Sequence, residues 1–162
     1  MNKYKTEIRW ALIFSGMFLA WMAMERIAGL HSTQLSKQQL ITPFILVPSF
    51  VIYILALRSK RKSVYDNKIT YKQSLVSGLW LTIFIVLLSP VNQIVTSTII
   101  SPDYFSNLTA YTVSNGIMTP EQAQKQFNNG NYIIQSVVGG LITGMLFTAI
   151  ISLFIKSKPA NS

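Results

Sequence analysis

Polar side chains recur near one end of every long hydrophobic run in this chain. Glu25, Arg26 and His31 follow the first run and Thr42 opens the second, while Asn92 and Gln93 close the third and Gln135 and Ser136 open the fourth. A carboxylate, a guanidinium, an imidazole and several amides at one depth could bind an ion or a small polar ligand, because an ionisable group at membrane depth is costly unless it is used. Their heights agree. With a 1.5 Å rise per residue, Glu25 stands about 24 Å along its helix from Arg9, and Thr42 about 24 Å from Arg58. Asn92 stands about 30 Å from Lys72 and Gln135 about 32 Å from Lys156. The simpler alternative is an interfacial band in which Arg26 snorkels and Glu25 stays hydrated. Glu25 and Arg26 project about 100° apart, so their adjacency does not imply a pair.

Catalytic chemistry finds little support. The chain has no cysteine, which removes disulfides, thiolate nucleophiles, iron–sulfur clusters and Cys-based zinc sites together. Its single histidine, His31, argues against a His-rich metal or haem site. No paired carboxylates, Ser/His/Asp order or metal-ligand spacing occurs, and the GGLITG stretch at 139–144 lacks the lysine and preceding strand of a nucleotide loop. We therefore expect no catalytic residue, no metal and no cofactor, and a non-enzymatic protein.

The elements that must position these residues are long helices. Half of the 162 residues are apolar and 12% are charged, against about a quarter charged in soluble domains. Crossing about 30 Å of hydrocarbon takes roughly 20 residues. Spans are predicted at about 8–30, 41–57, 74–95 and 133–155, as one all-α four-helix transmembrane bundle over 1–162. The first run has the charged start of a signal peptide, but Trp, Met and Glu flank it where a cleavage site needs small residues, so an uncleaved anchor is expected. None of the runs shows the strict alternation of a barrel strand.

Charge gives these spans a direction. Lys3, Lys5, Arg9, Arg58, Lys60, Arg61, Lys62, Lys68, Lys72, Lys156 and Lys158 lie at the N-terminus, the middle linker and the C-terminus; set against Glu7 and Asp66 they carry the entire net charge of +9. Arg26, Lys37 and Lys125 on the other side are cancelled by Glu25, Asp103 and Glu121. The positive-inside rule then predicts both termini in the cytoplasm of a multi-pass inner-membrane protein. Arg58, Lys60, Arg61 and Lys62 form a basic patch whose main expected role is to fix topology, with lipid or partner docking as the alternative. The high pI is read as a topology signal, and no nucleic-acid partner is expected.

The outer segment 101–132 carries two copies of one helix-start pattern, Ser101-Pro102-Asp103 and Thr119-Pro120-Glu121. Each offers a hydroxyl N-cap, a proline at the first helical position and an acid near the positive dipole end. Helices are predicted at about 102–114, stopping at Asn115-Gly116, and at about 120–128. This short helical hairpin either lies in the outer interface or caps the bundle mouth. Pro43, Pro48 and Ser89-Pro90 break the second and third spans; a proline frees a carbonyl that can bind an ion, though most such kinks are structural.

In the fourth span Ser136, Gly140, Gly144, Thr148 and Ser152 recur every four residues. Small residues at this spacing let helices approach closely where lipid removes the hydrophobic drive. The partner is another span of the bundle or a second subunit, which makes a homo-oligomer or a membrane-protein partner the alternatives to internal packing.

The stretches EIRWALIFSGMFLAWMAMERIAGLH at 7–31, ITPF at 41–44, YILALRSKRK at 53–62, ITYKQSLVSG at 69–78, LLSPVNQ at 87–93, IISPDYF at 99–105, NGIMTPEQAQKQFN at 115–128 and YIIQSVVGGLITG at 132–144 together resemble a bacterial family of small four-span membrane proteins classed as a domain of unknown function. The resemblance implies an all-helical inner-membrane protein and supplies no activity. The expected function is an integral-membrane scaffold or accessory subunit in the lipid bilayer, or alternatively a small transporter or channel-like protein using the outer polar layer.

Overall fold

The computed structural model describes residues 4–157; Lys3 and Lys158 lie outside them. Four helical runs are long and apolar enough to cross a membrane: Lys5–Ile27, Leu35–Val64, Tyr71–Ile100 and Asn129–Ile155. The first is α1 (Lys5–Ile27). The second begins as α2 (Leu35–Ile41), tightens into a 3-10 turn at Thr42–Ile45 where Pro43 sits at the turn's start, and continues as α3 (Leu46–Val64). The third is α4 (Tyr71–Val95), extended by a π-helical turn at Thr96–Ile100. After α5 (Tyr104–Ser114) and α6 (Pro120–Gln126), the fourth span is α7 (Asn129–Ile155).

The packing is inverted relative to a soluble protein. Buried positions include Glu7, Ser15, Ser49, Ser74, Ser77, Thr82, Asn92, Thr148 and Ser152, while Leu12, Ile27, Val47, Leu87, Leu146 and Phe154 are exposed. Lipid is the solvent that makes such an exterior stable. The helices satisfy their own backbone groups, and small polar side chains mediate their contacts.

The bundle is centred on α4, which touches α1, α3 and α7. Its contact with α7 runs antiparallel in a fixed register. The Ser152 hydroxyl donates to Ser74 Oγ at 2.8 Å, Thr148 covers Gly78, Gly144 lies under Thr82, and Val86 covers Gly140. Each step is four residues forward on one helix and four back on the other, so two stripes of small residues mesh along the whole contact. The predicted packing stripe of α7 thus faces α4 of the same chain from Gly140 to Ser152. At its end, the Ser136 hydroxyl turns back to its own helix and donates to Ile133 O at 2.9 Å.

Helix ends follow local chemistry. Thr70 and Gln73 form a reciprocal capping box that starts α4 a turn before the predicted boundary. Thr119 and Gln122 do the same for α6. At Pro90, which lacks an N–H for the Val86 carbonyl, the Ser89 hydroxyl donates to that carbonyl at 2.8 Å. The group that proline frees is therefore taken within the chain. Basic residues 58–62 belong to the last turns of α3 and not to a linker, because the helix continues to Val64. It is followed by Asp66 and Asn67 at φ 44° and 64°, residue types that tolerate the left-handed region.

We call the end of the bundle carrying the 65–70 loop the basic end, and the opposite one the hairpin end. The hydrophobic core, with Ala11, Tyr53, Leu57, Leu81, Ile85 and Ile151, fills the half toward the basic end.

Candidate functional site

Polar side chains gather in one cluster at each end of the bundle. At the hairpin end α1 closes with Gly29 at φ 78°, whose N–H reaches Arg26 O at 3.0 Å while Leu30 N–H reaches Glu25 O at 2.9 Å. This pair of bonds is a Schellman close, which only a residue free to take positive φ permits cheaply. It folds the chain back so that His31 lands on Glu25. His31 Nε2 lies 3.2 Å from Glu25 Oε2, and the Trp21 indole N–H donates to Glu25 Oε1 at 2.6 Å. Glu25 is 3% exposed and His31 1%.

The α5 helix forms the roof. Tyr104 packs against the His31 ring with centroids 4.7 Å apart and the planes tilted by 48°, and Asn107 donates to the His31 carbonyl at 3.0 Å. The Gln38 amide of α2 donates to the Tyr104 oxygen at 2.7 Å. Burial, reinforced by neighbouring Tyr132, pushes the Tyr104 phenol far above its ordinary range, against the lowering effect of the Gln38 bond. Tyr104 thus remains a neutral phenol. Phe105 and Tyr132 complete an aromatic wall, their rings 5.0 Å apart. Of the two placements open to the outer segment, α5 caps the bundle.

The structure brings together Glu25 and His31, and sets Arg26 beside them. Arg26 does not pair with Glu25; its side chain is exposed and Nη1 donates to Ser101 Oγ at 3.2 Å. That bond engages the Ser101 hydroxyl, and α5 begins two residues later than predicted, with Asp103 at its N-cap position. Asn92 and Gln93 are buried on α4, and Asn92 donates to Ser15 Oγ at 3.0 Å. The Thr42 hydroxyl is buried without a partner. Gln135 is exposed and stands outside the cluster. One common height therefore does not make one pocket, because helix phase turns Gln135 outward while Glu25 turns in.

The second cluster, at the basic end, escaped sequence reasoning. Lys60 Nζ lies 2.8 Å from Glu7 Oε1 and 3.0 Å from Oε2, and the Ser77 hydroxyl donates to Oε1 at 2.7 Å. Glu7 is 3% exposed and Lys60 5%. The expected basic patch is correspondingly divided. Arg58 and Lys62 are exposed, Lys60 is sealed inside, and Arg61 donates to Asn67 O at 2.7 Å and to Ile155 O at 3.0 Å. In the latter bond a cation caps the C-terminal carbonyls of α7, where the helix dipole favours it. Helical phase was the available signal: Tyr53, Ala56, Leu57 and Lys60 share the inward face of α3, and Glu7, Ala11 and Ser15 that of α1.

Between the clusters, toward the hairpin end, lies a cavity of about 230 Å³ bounded by all four spans. Phe14, Phe18, Leu46, Ile85, Val86 and Phe147 give it an apolar wall, with Ser49, Asn92, Gln93, Ser136 and Thr143 as polar points. Among the described residues, no three His, Asp or Glu side chains are grouped to hold a metal ion.

A four-span, all-helical membrane bundle with internally paired charges is the class this geometry defines. The chain belongs to the family described as "Protein of unknown function (DUF4199)", which matches residues 9–157. No curated protein and no solved structure matches it.

Proposed function

We propose that this protein is a non-enzymatic scaffold or accessory subunit of the bacterial inner membrane, with both termini in the cytoplasm. The observation that carries this reading is the state of its two buried acids. Each oxygen of Glu7 and of Glu25 is engaged by a neighbouring side chain. A transport carboxylate must exchange partners with solute or water, whereas these are committed to joining α1 to α3, α4 and the turn at His31. A partner helix or a second copy would dock on the outward face of α7, with Ile142 and Leu146 exposed there, since α4 occupies the small-residue face. The test is flux. Vesicles containing the purified protein are expected to pass protons and potassium no faster than protein-free vesicles; a protein-dependent flux would overturn the reading.

Orientation rests on the net charge of +9 concentrated at the basic end, and it has its own test. Ser63 and Asn115 are both exposed, and the absence of cysteine makes single-cysteine variants clean probes. In intact cells with a permeabilised outer membrane, an impermeant thiol reagent is expected to label Asn115→Cys and spare Ser63→Cys. The reverse pattern would invert the topology.

A further inference from the structure

We propose that the cavity in the hairpin-end half is a binding site for a neutral amphiphile, entered from the bilayer between the second and fourth spans and recognised by the amides of Gln93 and Asn92. This goes beyond a scaffold role.

The mouth is visible in the packing. Leu46 on α3 and Gly139 on α7 both line the cavity and are both exposed. A Cβ built on Gly139 would meet nothing within 4 Å. Just toward the basic end the gap closes, where the Tyr53 hydroxyl oxygen lies 2.6 Å from the position a Gly144 Cβ would take. The opening is therefore lateral and confined to one half of the bundle.

Inside, the recognition groups are amides in need of partners. Gln93 is 8% exposed, lines the cavity and has no side-chain hydrogen bond within the described residues. Asn92, 6% exposed, gives one side-chain N–H to Ser15, and its side-chain oxygen Oδ1 has no hydrogen bond among the described residues. Buried amides are almost always hydrogen-bonded, so a pair facing an apolar cavity calls for a partner from outside the chain. An amide both donates and accepts, which suits a hydroxyl or an ester carbonyl. Among the described residues no Lys, Arg, His, Asp or Glu lines the cavity, so a charged headgroup would be buried without a counter-ion. At about 230 Å³ the space exceeds the roughly 150 Å³ that accommodates benzene and falls short of the roughly 300 Å³ at which drug-sized pockets begin. It holds a small head and a few carbons, with the remaining chain in the bilayer.

Photolabelling in lipid nanodiscs tests this, using a monoacylglycerol with a diazirine near the ester and, separately, a fatty acid carrying the same chain and diazirine. Adducts from the monoacylglycerol are expected on residues 45–49 and 136–143. Gln93→Leu removes the amide, and Gly139→Leu fills the mouth where space is free. Each variant is expected to retain the wild-type unfolding midpoint and to lose about fivefold or more of the mapped adduct. The fatty acid is expected to label these residues weakly. Mapped labelling unchanged in both variants, or spread evenly over lipid-facing residues, overturns the site. Equal or stronger labelling by the fatty acid overturns the neutral class. Because these readouts do not involve ion flux, their failure is distinct from failure of the scaffold reading.

Discussion

Gly144→Leu is expected to destabilise the bundle strongly by forcing apart the α4–α7 contact. A Cβ at Gly144 would stand 2.4 Å from Thr82 Cγ2, 2.5 Å from Thr82 Oγ1 and 2.6 Å from the Tyr53 hydroxyl oxygen. Those atoms cannot simply rotate away. Thr82 Oγ1 donates to Gly78 O at 2.9 Å and lies 3.0 Å from the Tyr53 hydroxyl, so one added carbon disturbs three elements at once. Overpacking usually costs about 1–3 kcal/mol, and the displaced hydrogen bonds put this case at about 3 kcal/mol or more. The measurement is the unfolding midpoint in mild detergent, with Gly139→Leu as a control on the same helix. The control should be near neutral, because its Cβ meets nothing within 4 Å. Equal midpoints for Gly144→Leu and wild type would refute the seam.

Lys60→Met is expected to cost about 3–5 kcal/mol, the usual penalty for leaving one partner of a buried ion pair uncompensated. Glu7 would keep the Ser77 hydroxyl but lose the cation that neutralises it at 3% exposure. The double variant Glu7→Gln, Lys60→Met should recover most of that loss, since no buried charge remains. A double-mutant cycle by denaturant unfolding separates the pair from its surroundings. Additive losses would mean that the two side chains are solvated and independent.

The four spans are legible in the sequence because apolar stretches of roughly 20 residues match the thickness of a bilayer and exceed what a small soluble core can cover. The seam is half legible. The stripe on α7 stands out through its glycines, whereas Ser74, Gly78, Thr82 and Val86 repeat at the same spacing on α4 without announcing a packing face, since three of the four carry ordinary side chains. Lys60 is hidden for a different reason. Counting charges by loop treats every lysine as solvated, whereas helical phase places this one beneath the surface of the bundle. The folding back of His31 onto Glu25 depends on Gly29 taking a left-handed conformation, which a glycine after a helix permits but does not require. The polar layer follows from height alone. Height brings Glu25, Asn92 and Gln93 to comparable depth, and rotation about each helix axis decides which of the predicted residues turn inward.

The claim that the buried acids hold the bundle together, and do not move a solute, is tested most directly by Glu25→Leu with stability and flux measured on the same preparation. This variant keeps side-chain bulk and leaves the Trp21 N–H and His31 Nε2 without their acceptor. The expected result is a loss of stability of about 1–3 kcal/mol for each orphaned group, with proton and potassium flux at the protein-free level in wild type and variant alike. Unchanged stability, together with a wild-type flux that the substitution abolishes, would contradict it.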